Sequence, residues 1–355
     1  MTEQERVVVA LPSKGALAEP TFSFLAECGL RPVKTSPRHY TARIPALPEV
    51  SVLFQRARDI VQKVTDGTVD LGISGLDIVS ECEEDGKKLI LLHDDLGYGH
   101  CDLVLAVPDT WIDVDSLADI ADIALEFRET KGRDLRVATG FPNLTRQFLL
   151  ENGVPCFAIV AASGAVEAAP AMGYAEIIAD LTSTGTTLRA NHLKLLGGGL
   201  ILRSQACLVG NARSLQQREP VVNAARLVLE MIDAKLQGWH FSLVTASVRG
   251  VSAAGSARRA GIARRLLEED VVETRDQLTL TRLDDQDSSV EPSTSEMFSV
   301  SLTVHKSHLL RAVTCLRGMG ATNILVTQVR YRFTDRSESY SRLRARLRKS
   351  PRSRE

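Results

Sequence analysis

The chain has 355 residues, 44% of them hydrophobic and 25% charged, which is typical of a soluble globular protein long enough for two or three domains. Its 43 basic and 44 acidic side chains leave a net charge of -1, so the overall charge favours neither nucleic acid nor a membrane surface as a partner. The six cysteines show no metal-binding spacing, and the N-terminal residues show no signal or transit pattern. We therefore expect a cytoplasmic protein with reduced thiols and with no nucleic-acid or membrane partner.

The first hundred residues alternate short apolar runs with amphipathic segments, which is the pattern of an α/β unit. The pattern predicts strands at residues 7–11, 51–54, 69–74 and 88–93, and helices at residues 19–28, 58–65 and 75–81. A further strand is predicted at residues 102–107. Because Pro108 and a polar stretch follow it, we expect the chain to leave the first domain there.

A second α/β unit follows, with predicted strands at residues 136–139, 156–162 and 175–181 and predicted helices at residues 143–152 and 165–173. A strand at residues 200–209 and a long helix at residues 214–236 are expected to return to the first unit. We therefore predict one lobe from residues 1–104 and 203–238 and a second lobe from residues 105–202. Two-lobed folds of this kind bind their ligand in the cleft between the lobes.

After Gly238 the predicted order becomes strand, helix, strand, strand, helix, strand, which is the ferredoxin-like arrangement of many small regulatory modules. The elements are expected at residues 240–248, 253–269, 277–283, 298–305, 308–319 and 323–333, in a domain that spans residues 239–335. We expect the polar link at residues 284–296 to be mobile. The arginine-rich residues 336–355 are expected to form a flexible tail, and a nucleic-acid-binding arm is the alternative.

One loop carries the most specific chemistry. The segment Asp180-Leu-Thr-Ser-Thr-Gly-Thr-Thr-Leu188 lies between a predicted buried strand and a predicted helix. Its backbone N–H groups, its hydroxyl groups and its glycine suit a phosphate, although the Gly-Lys-Ser/Thr ending of a P-loop is missing. An acidic residue just before such a loop suits two vicinal ribose hydroxyls. The segment therefore indicates a ribose 5-phosphate site, and a Ser/Thr-rich turn that caps a helix is the alternative.

Further characteristic blocks accompany this loop along the chain. In sequence order they are Leu11-Pro-Ser-Lys14-Gly-Ala-Leu17, Arg58-Asp59-Ile60, Asp70-Leu-Gly-Ile-Ser-Gly75, Asp77, Arg136-Val-Ala-Thr139, Phe141-Pro-Asn-Leu-Thr145, Gly164-Ala-Val-Glu167, Ala169-Pro170, Gly173, Ile178-Ala-Asp180, Val244-Thr245 and Arg249-Gly250. Together with the loop, this set resembles the ATP phosphoribosyltransferase family, in its long form with a C-terminal histidine-sensing domain. The resemblance extends to about residue 335. Many members have arginine where this chain has Ala16, so we assign that position no charge role.

The resemblance implies a glycosyltransferase. It implies transfer of the 5-phosphoribosyl group of phosphoribosyl pyrophosphate to N1 of ATP, with release of pyrophosphate, as the first step of histidine biosynthesis. Departure of pyrophosphate leaves positive character at the anomeric carbon, so the enzyme must position the adenine and stabilise charge. Mg2+ is the implied cofactor, held largely by oxygens of the substrate, and we predict no metal-ligating side chain.

The expected fold class is α/β, with a two-lobed catalytic core like that of periplasmic binding proteins and a C-terminal ferredoxin-like (βαββαβ, ACT-like) domain. The resemblance implies that this domain binds histidine as a feedback inhibitor and biases the enzyme between two states. It also implies a homo-oligomer, from dimer to hexamer.

The predicted catalytic residues are Asp180, Glu167 and Lys14. We expect Asp180 to bind the ribose hydroxyls, and the 5-phosphate to be bound by Ser183, Thr184, Gly185, Thr186 and Thr187. Lys14 is expected to reach the pyrophosphate, and an exposed loop lysine is the alternative. Glu167 is expected to orient the loop or a magnesium-bound water, and a helix-capping carboxylate is the alternative.

Arg58, Asp70 and Ser74 are expected to contact substrate in the cleft, although an Arg–Asp pair is as often a structural ion pair. Asp77 favours the start of its helix. His100 lies near the predicted crossing between the lobes, but a single histidine beside a glycine is more often a turn residue.

Two other functions remain open from the sequence. A two-lobed α/β protein can be a small-molecule receptor or the sensing half of a regulator, without catalysis. A catalytically silent relative is the other possibility. The presence of Asp180 and of the Thr/Gly loop, as we call residues 182–187 of the segment Asp180–Leu188, disfavours it.

Overall fold

The computed structural model describes residues 6–34, 36, 39–82, 88–162, 164–251, 278–283 and 295–349. The chain divides into two compact units, one formed by Met1–Leu229 with Glu338–Glu355 and the other by Glu230–Ser337. The predicted helix at residues 253–269 and most of the predicted link at residues 284–296 lie outside the described residues. Within the described ranges, no helix is both long and apolar enough to cross a membrane.

The first unit begins with β1 (Val7–Pro12), α1 (Ala18–Glu27), β2 (Thr41–Ile44), β3 (Leu47–Gln55), α2 (Ala57–Asp66), β4 (Leu71–Gly75), α3 (Leu76–Cys82) and β5 (Leu89–His93). It continues with β6 (Cys101–Pro108), α4 (Leu117–Lys131), β7 (Leu135–Thr139), α5 (Pro142–Glu151), β8 (Phe157–Ala161), α6 (Ala169–Met172), β9 (Ile177–Thr182), α7 (Thr186–Ala190), β10 (Leu193–Ser204), β11 (Ala206–Asn211) and α8 (Ala212–Gln217). Then follow α9 (Glu219–Trp239), β12 (Phe241–Val251), β13 (Leu278–Leu283), β14 (Ser295–His305), α10 (Leu309–Gly318), β15 (Ala321–Gln328) and α11 (Glu338–Lys349).

Sheet 1 contains β2, β3, β1, β4, β11 and β5 in that order. β1 pairs in parallel with β3 and β4, so their carboxyl ends lie at one edge, whereas β11 is antiparallel to β4 and β5. Helix α2 packs on this sheet because Ile60, Val61 and Val64 lie on one of its faces. Gly72 permits this close packing, since a Cβ there would lie 2.5 Å from Ile60 Cγ2. The first turn of α2 is thereby fixed at the carboxyl edge of sheet 1.

Sheet 2 contains β10, β6, β9, β7 and β8 in that order. β7 pairs in parallel with β8 and β9, whereas β6 is antiparallel to β9 and β10. The sequence pattern did not predict α4, which contributes Ile120, Ala124 and Phe127 to the core of this sheet. A capping box starts the helix, because the Ser116 hydroxyl accepts the Asp119 N–H and the Asp119 carboxylate accepts the Ser116 N–H.

The chain crosses from sheet 1 to sheet 2 between β5 and β6 and returns at Gln205. The single strand predicted at residues 200–209 is therefore wrong, because β10 ends at Ser204 in sheet 2 and β11 begins at Ala206 in sheet 1. The single helix predicted at residues 214–236 is also wrong. It is interrupted at Arg218, since Pro220 lacks an N–H and is tolerated in the first turn of a new helix but not in the interior of a continuous one.

Sheet 3, in the second unit, contains β13, β14, β12 and β15, and all of its paired strands are antiparallel. Helix α10 packs on one face through Ala312 and Leu316, against Val244, Val300 and Leu302. The last strand ends at Gln328 rather than at the predicted residue 333, because the chain then turns to α9, where the Arg332 N–H donates to the Ala234 carbonyl at 2.8 Å. The predicted α/β fold class, with a two-sheet core and a C-terminal ferredoxin-like sheet, is confirmed.

The prediction of a flexible tail is wrong for Glu338–Lys349, which forms helix α11 against β5 of sheet 1. The helix is rich in arginine, but Tyr340, Leu343 and Leu347 form a narrow apolar stripe, and Leu343 is 2% exposed. The Arg346 Nη1 also donates to the Leu91 carbonyl at 3.1 Å. These contacts explain why the end of the chain belongs to the first unit.

Candidate active site

A cavity of about 610 Å³ lies at the carboxyl ends of the parallel strands β7, β8 and β9. Open α/β sheets commonly bind ligands at this edge. The lining residues come from the last residues of these strands, from the segments that follow β7 and β8, and from α2. They are Arg58, Thr139, Gly140, Phe141, Pro142, Ala161, Ala162, Gly164, Ala165, Val166, Glu167 and Asp180. The structure therefore brings together three predicted site residues, Asp180, Glu167 and Arg58.

Asp180 lies near the end of β9, and its Oδ1 accepts the Leu181 N–H at 2.8 Å. Burial raises the pKa of this carboxyl, the Leu181 N–H lowers it, and the negative charge of Glu167 raises it further. Glu167 belongs to a 3-10 turn, Val166–Ala168, that begins after Ala165 in the left-handed conformation, with φ 48°. Such a conformation is unfavourable for alanine. The turn directs a second carboxylate to the same cavity, which suits a ligand rich in hydroxyl groups or positive charge.

The Thr/Gly loop follows β9 directly and leads into α7. Gly185 has a φ of 69° and donates its N–H to Thr182 Oγ1 at 2.8 Å, so the loop turns where glycine is favoured. The hydroxyls of Thr184 and Thr186 share a hydrogen bond of 2.9 Å and are exposed, as are Ser183 and Thr187. The loop does not line the cavity itself, but it begins at the end of the strand that carries Asp180.

Arg58 reaches the cavity from sheet 1. Its Nη2 donates to the Gly140 carbonyl at 2.9 Å, and its guanidinium lies 5.9 Å from the centre of the Phe141 ring. Ser74 is fully buried below this helix, and its hydroxyl donates to the Ala57 carbonyl at 3.0 Å. The structure thus places Ser74 as a support for the first turn of α2, and Arg58 at the cavity.

Asp70 does not reach the cavity, in contrast to the sequence-based expectation. It precedes β4, at the amino edge of sheet 1, and is 2% exposed. Its carboxylate accepts the Val8 N–H at 3.0 Å and pairs with Arg218 at 2.5 Å. With both oxygens bonded in this way, Asp70 forms a structural ion pair, and its partner is Arg218 rather than Arg58.

Lys14 lies in the exposed turn that follows β1, beside Gly15 with a φ of 81°. It is not among the residues that line the cavity. Its turn follows the carboxyl end of β1, at the same edge of sheet 1 as the first turn of α2. A role of Lys14 in binding pyrophosphate stays a prediction.

Sequence reasoning missed Glu81 and assigned no role to Thr139. Thr139 is fully buried, and its hydroxyl oxygen accepts the Phe141 N–H at 2.9 Å, which shapes the turn after β7. Glu81, on α3, is 3% exposed and binds the backbone that follows this turn. No local motif identifies Glu81, because its partners lie 62 and 63 residues further along the chain.

Comparison with known proteins gives one consistent result. A family model described as ATP phosphoribosyltransferase matches residues 56–234. ATP phosphoribosyltransferase 2, chloroplastic, of Arabidopsis thaliana is 36% identical over 352 residues, which covers 97% of this chain and 81% of that protein. The chain belongs to the ATP phosphoribosyltransferase family. The predicted family membership is therefore confirmed.

Two further relatives of the family are of interest. An ATP phosphoribosyltransferase of Brucella melitensis biotype 2 (strain ATCC 23457) is 45% identical over 223 residues, covering 62% of this chain and 96% of that protein. Among solved structures, the ATP phosphoribosyl transferase (HisG:HisZ) complex from Thermotoga maritima is 27% identical, with a TM-score of 0.47, and covers 64% of this chain and 98% of that chain. All residues that line the cavity lie within residues 56–234, the range that matches the family model.

Proposed function

We propose that the chain transfers the 5-phosphoribosyl group of phosphoribosyl pyrophosphate to N1 of ATP and releases pyrophosphate, in the first step of histidine biosynthesis. One observation carries the proposal. The range that matches the family includes the whole cavity, in which Asp180 and Glu167 lie beside the start of a loop rich in hydroxyl groups.

Asp180 and the Thr/Gly loop bind the ribose 5-phosphate moiety. Asp180 Oδ1 accepts the Leu181 N–H, and Oδ2 can accept hydrogen bonds from the vicinal ribose hydroxyls. The hydroxyls of Thr184 and Thr186, 2.9 Å apart, can both turn to one phosphate. Ser183 and Thr187 add donors, and Gly185 allows a phosphate to approach the backbone.

The reaction needs no covalent nucleophile. The bond from the anomeric carbon to pyrophosphate breaks, the pyrophosphate takes the electron pair, and N1 of adenine supplies the pair for the new bond. The carboxylates of Asp180 and Glu167 stabilise the positive character that develops on the ribose. The thiol of Cys101, at the start of β6, does not supply a nucleophile either. Burial raises its pKa to about 11, so it is protonated near neutral pH.

The cavity suits Mg2+ that is bound through water, because the carboxylates of Asp180 and Glu167 can accept hydrogen bonds from metal-bound water. Over the described residues, no group of three or more His, Cys, Asp or Glu side chains is arranged to hold a metal. Phosphate oxygens of the substrate would supply most of its ligands, and Glu167 would orient a metal-bound water. When bound, Mg2+ neutralises the charge that builds up on the departing pyrophosphate.

Arg58 and Lys14 bind the anionic groups that face sheet 1. Both follow the carboxyl ends of strands that are parallel neighbours, β3 and β1. Arg58 suits a phosphate of ATP or of pyrophosphate, because its guanidinium presents donors beyond the one bonded to Gly140. Lys14 reaches the pyrophosphate as a flexible point charge.

The second unit, residues 230–337, binds histidine as a feedback inhibitor, and the chain assembles as a homo-oligomer. All six cysteines are free thiols, which is compatible with a reducing compartment such as the cytoplasm. Histidine should inhibit the intact chain. A chain in which a flexible linker replaces residues 241–328 should lose inhibition but keep α11, which packs on the first unit. Inhibition that persists in this variant would place the effector site elsewhere.

The reaction is tested by incubating the protein with ATP, phosphoribosyl pyrophosphate, Mg2+ and pyrophosphatase, and by following the absorbance of the N1-substituted adenine. Product should form with the intact chain and should form much more slowly with Asp180→Asn. Absence of product from folded protein would overturn the proposed function and favour a small-molecule binding protein of the same fold.

A further inference from the structure

Glu81 is a buried acid that lies outside the cavity. It is on α3, which follows β4 of sheet 1, and only 3% of the residue is exposed. A buried carboxylate is unfavourable unless hydrogen bonds or opposite charge compensate for the lost hydration. Its Oε1 accepts the Asn143 N–H and its Oε2 accepts the Leu144 N–H, each at 3.0 Å. Both oxygens of Glu81 are therefore directed to sheet 2, at the first turn of α5.

Helix α5 depends on this carboxylate for its N-terminal cap. Its N-cap residue, Phe141, has no side-chain acceptor for the free N–H groups, and Pro142 has no N–H. The next two N–H groups are those of Asn143 and Leu144, which Glu81 accepts. The Asn143 side-chain amide also donates to the Glu81 carbonyl at 3.1 Å. A residue of sheet 1 thus provides the cap that a helix normally receives from its own N-cap side chain.

The capped helix follows the turn Gly140–Pro142, which forms part of the cavity wall. Arg58 binds the same turn from α2, through the Gly140 carbonyl at 2.9 Å. Two neighbouring helices of sheet 1 therefore contact one short segment of sheet 2. Helix α2 contacts it through Arg58 at Gly140, and α3 contacts it through Glu81 at the first turn of α5.

We propose that Glu81 is a positioning residue for phosphoribosyl transfer, because it holds the turn Gly140–Pro142 at the distance from α2 at which both substrates are aligned. This inference rests on the proposed function. Glu81 does not touch the cavity, so its effect passes through α5 and the turn. Its loss should reduce alignment of adenine with the anomeric carbon more than it reduces binding of either substrate alone.

The test uses Glu81→Gln in the full chain, with kcat and KM measured for both substrates. Glutamine keeps the size but offers one acceptor oxygen, and its NH2 group faces an N–H donor. A displacement of about 1 Å can cost about 100-fold in rate, so kcat should fall about 10-fold to 100-fold, with a smaller change in KM. Glu81→Asp, which keeps the charge but withdraws it by one methylene, should show an intermediate loss.

A double-mutant cycle with Arg58→Ala separates positioning from a general loss of stability. If Glu81 and Arg58 act on the same turn, their losses in kcat/KM should be less than multiplicative. Asp119→Asn is the matched control, since it weakens a capping carboxylate on α4 that is bonded to Ser116 and does not line the cavity. It should lower the melting temperature and leave kcat unchanged.

The outcomes distinguish the two proposals. An active wild type with an unchanged kcat in folded Glu81→Gln would overturn the role of Glu81 and leave the proposed function intact. Multiplicative losses in the double variant would also overturn it. An inactive wild type would overturn the proposed function, and the role of Glu81 with it. If Glu81→Gln does not fold, Glu81→Asp decides the question by the same measurements.

Discussion

The two ends of strand β9 carry acidic residues in opposite electrostatic surroundings. Glu176, just before the strand, pairs with Arg133 at 2.9 Å and with Arg136 at 2.6 Å. Burial alone would raise its pKa, but hydrogen bonds from the two arginines and the charge of Arg136 lower it to about 2. Asp180, near the other end, accepts the Leu181 N–H, but burial and the negative charge of Glu167 raise its pKa. Glu176, which is paired with two arginines, stabilises the sheet, whereas the carboxyl of Asp180 lines the cavity and is available for a ligand.

The largest effect is expected for Asp180→Asn. The loss of a charged group that acts in the transition state should lower kcat/KM by about 100-fold to 1000-fold. In the wild type, kcat/KM should fall as the pH drops through the raised pKa of Asp180, and the variant should lack this dependence. The fold should persist, because removal of a buried charge with a raised pKa does not destabilise the protein at neutral pH. Asp122→Asn, on the exposed face of α4, is the control, and equal activity of both variants would contradict the role of Asp180.

A smaller loss is expected for Arg58→Ala, which tests whether sheet 1 contributes a cation to the acidic site of sheet 2. Loss of charge-assisted hydrogen bonds should raise KM for at least one substrate by about 10-fold to 100-fold. Arg58→Lys should recover only part of this loss, because lysine lacks the planar set of donors. Arg56→Ala removes an exposed arginine that makes no side-chain cap on α2, and it should leave both KM values unchanged. If lysine restored KM fully, the positive charge of Arg58 would account for its role and its planar set of donors would not be needed.

Gly185→Ala tests the role of the Thr/Gly loop, which follows the same end of β9. The left-handed φ of 69° and a Cβ that would lie 3.1 Å from Arg189 Nη1 make alanine unfavourable there. We expect a loss of stability of about 1–2 kcal/mol and a rise of about 10-fold in KM for phosphoribosyl pyrophosphate. Gly132→Ala is a matched control, since its φ is 62° and nothing lies within 4 Å of its Cβ position. The control should lose similar stability with no change in KM, and a matching KM change in both variants would exclude a specific role of the loop.

The smallest effect on catalysis is expected for Glu176→Gln, at the opposite end of β9. Loss of hydrogen bonds to the two arginines should cost about 2 kcal/mol of unfolding free energy at neutral pH. Because the folded-state pKa lies below the ordinary value of 4.5, the extra stability of the wild type is present above that value and disappears as the pH falls towards about 2. Urea unfolding of both proteins across this range measures the difference. A large loss of kcat in folded Glu176→Gln would contradict this prediction, because it would show that Glu176, like Asp180, contributes to catalysis.

The α/β alternation and the Thr/Gly loop could be predicted because both depend on local patterns. The apolar runs around Val7–Pro12 and Leu71–Gly75 form strands as expected, and the loop follows β9 as expected. The crossing at Gln205 could not be predicted, since the apolar pattern continues through residues 200–209 although the chain changes sheets there. A hydrophobic period reports burial, and it does not report which sheet a strand joins.

The site was predictable to the extent that its chemistry is local. Asp180, Glu167 and Arg58 line one cavity, but Asp70 binds Arg218, which lies 148 residues further along the chain. Ser74 and Glu81 support the cavity through the Ala57 carbonyl and the first turn of α5. Residue types alone do not distinguish an acid that binds substrate from one that binds a distant arginine or a helix end. That distinction requires the long-range pairing of the folded chain.

The position of β11 has a consequence for the order in which the protein folds during synthesis. The strands of sheet 2 are all made between Cys101 and Ser204, whereas β4 and β5 of sheet 1 are separated by β11, which is made later. Sheet 2 can therefore form while it emerges from the ribosome, but β4 and β5 keep unpaired edges until Ala206–Asn211 has followed. The N-terminal sheet, although translated first, is the last of the two to close.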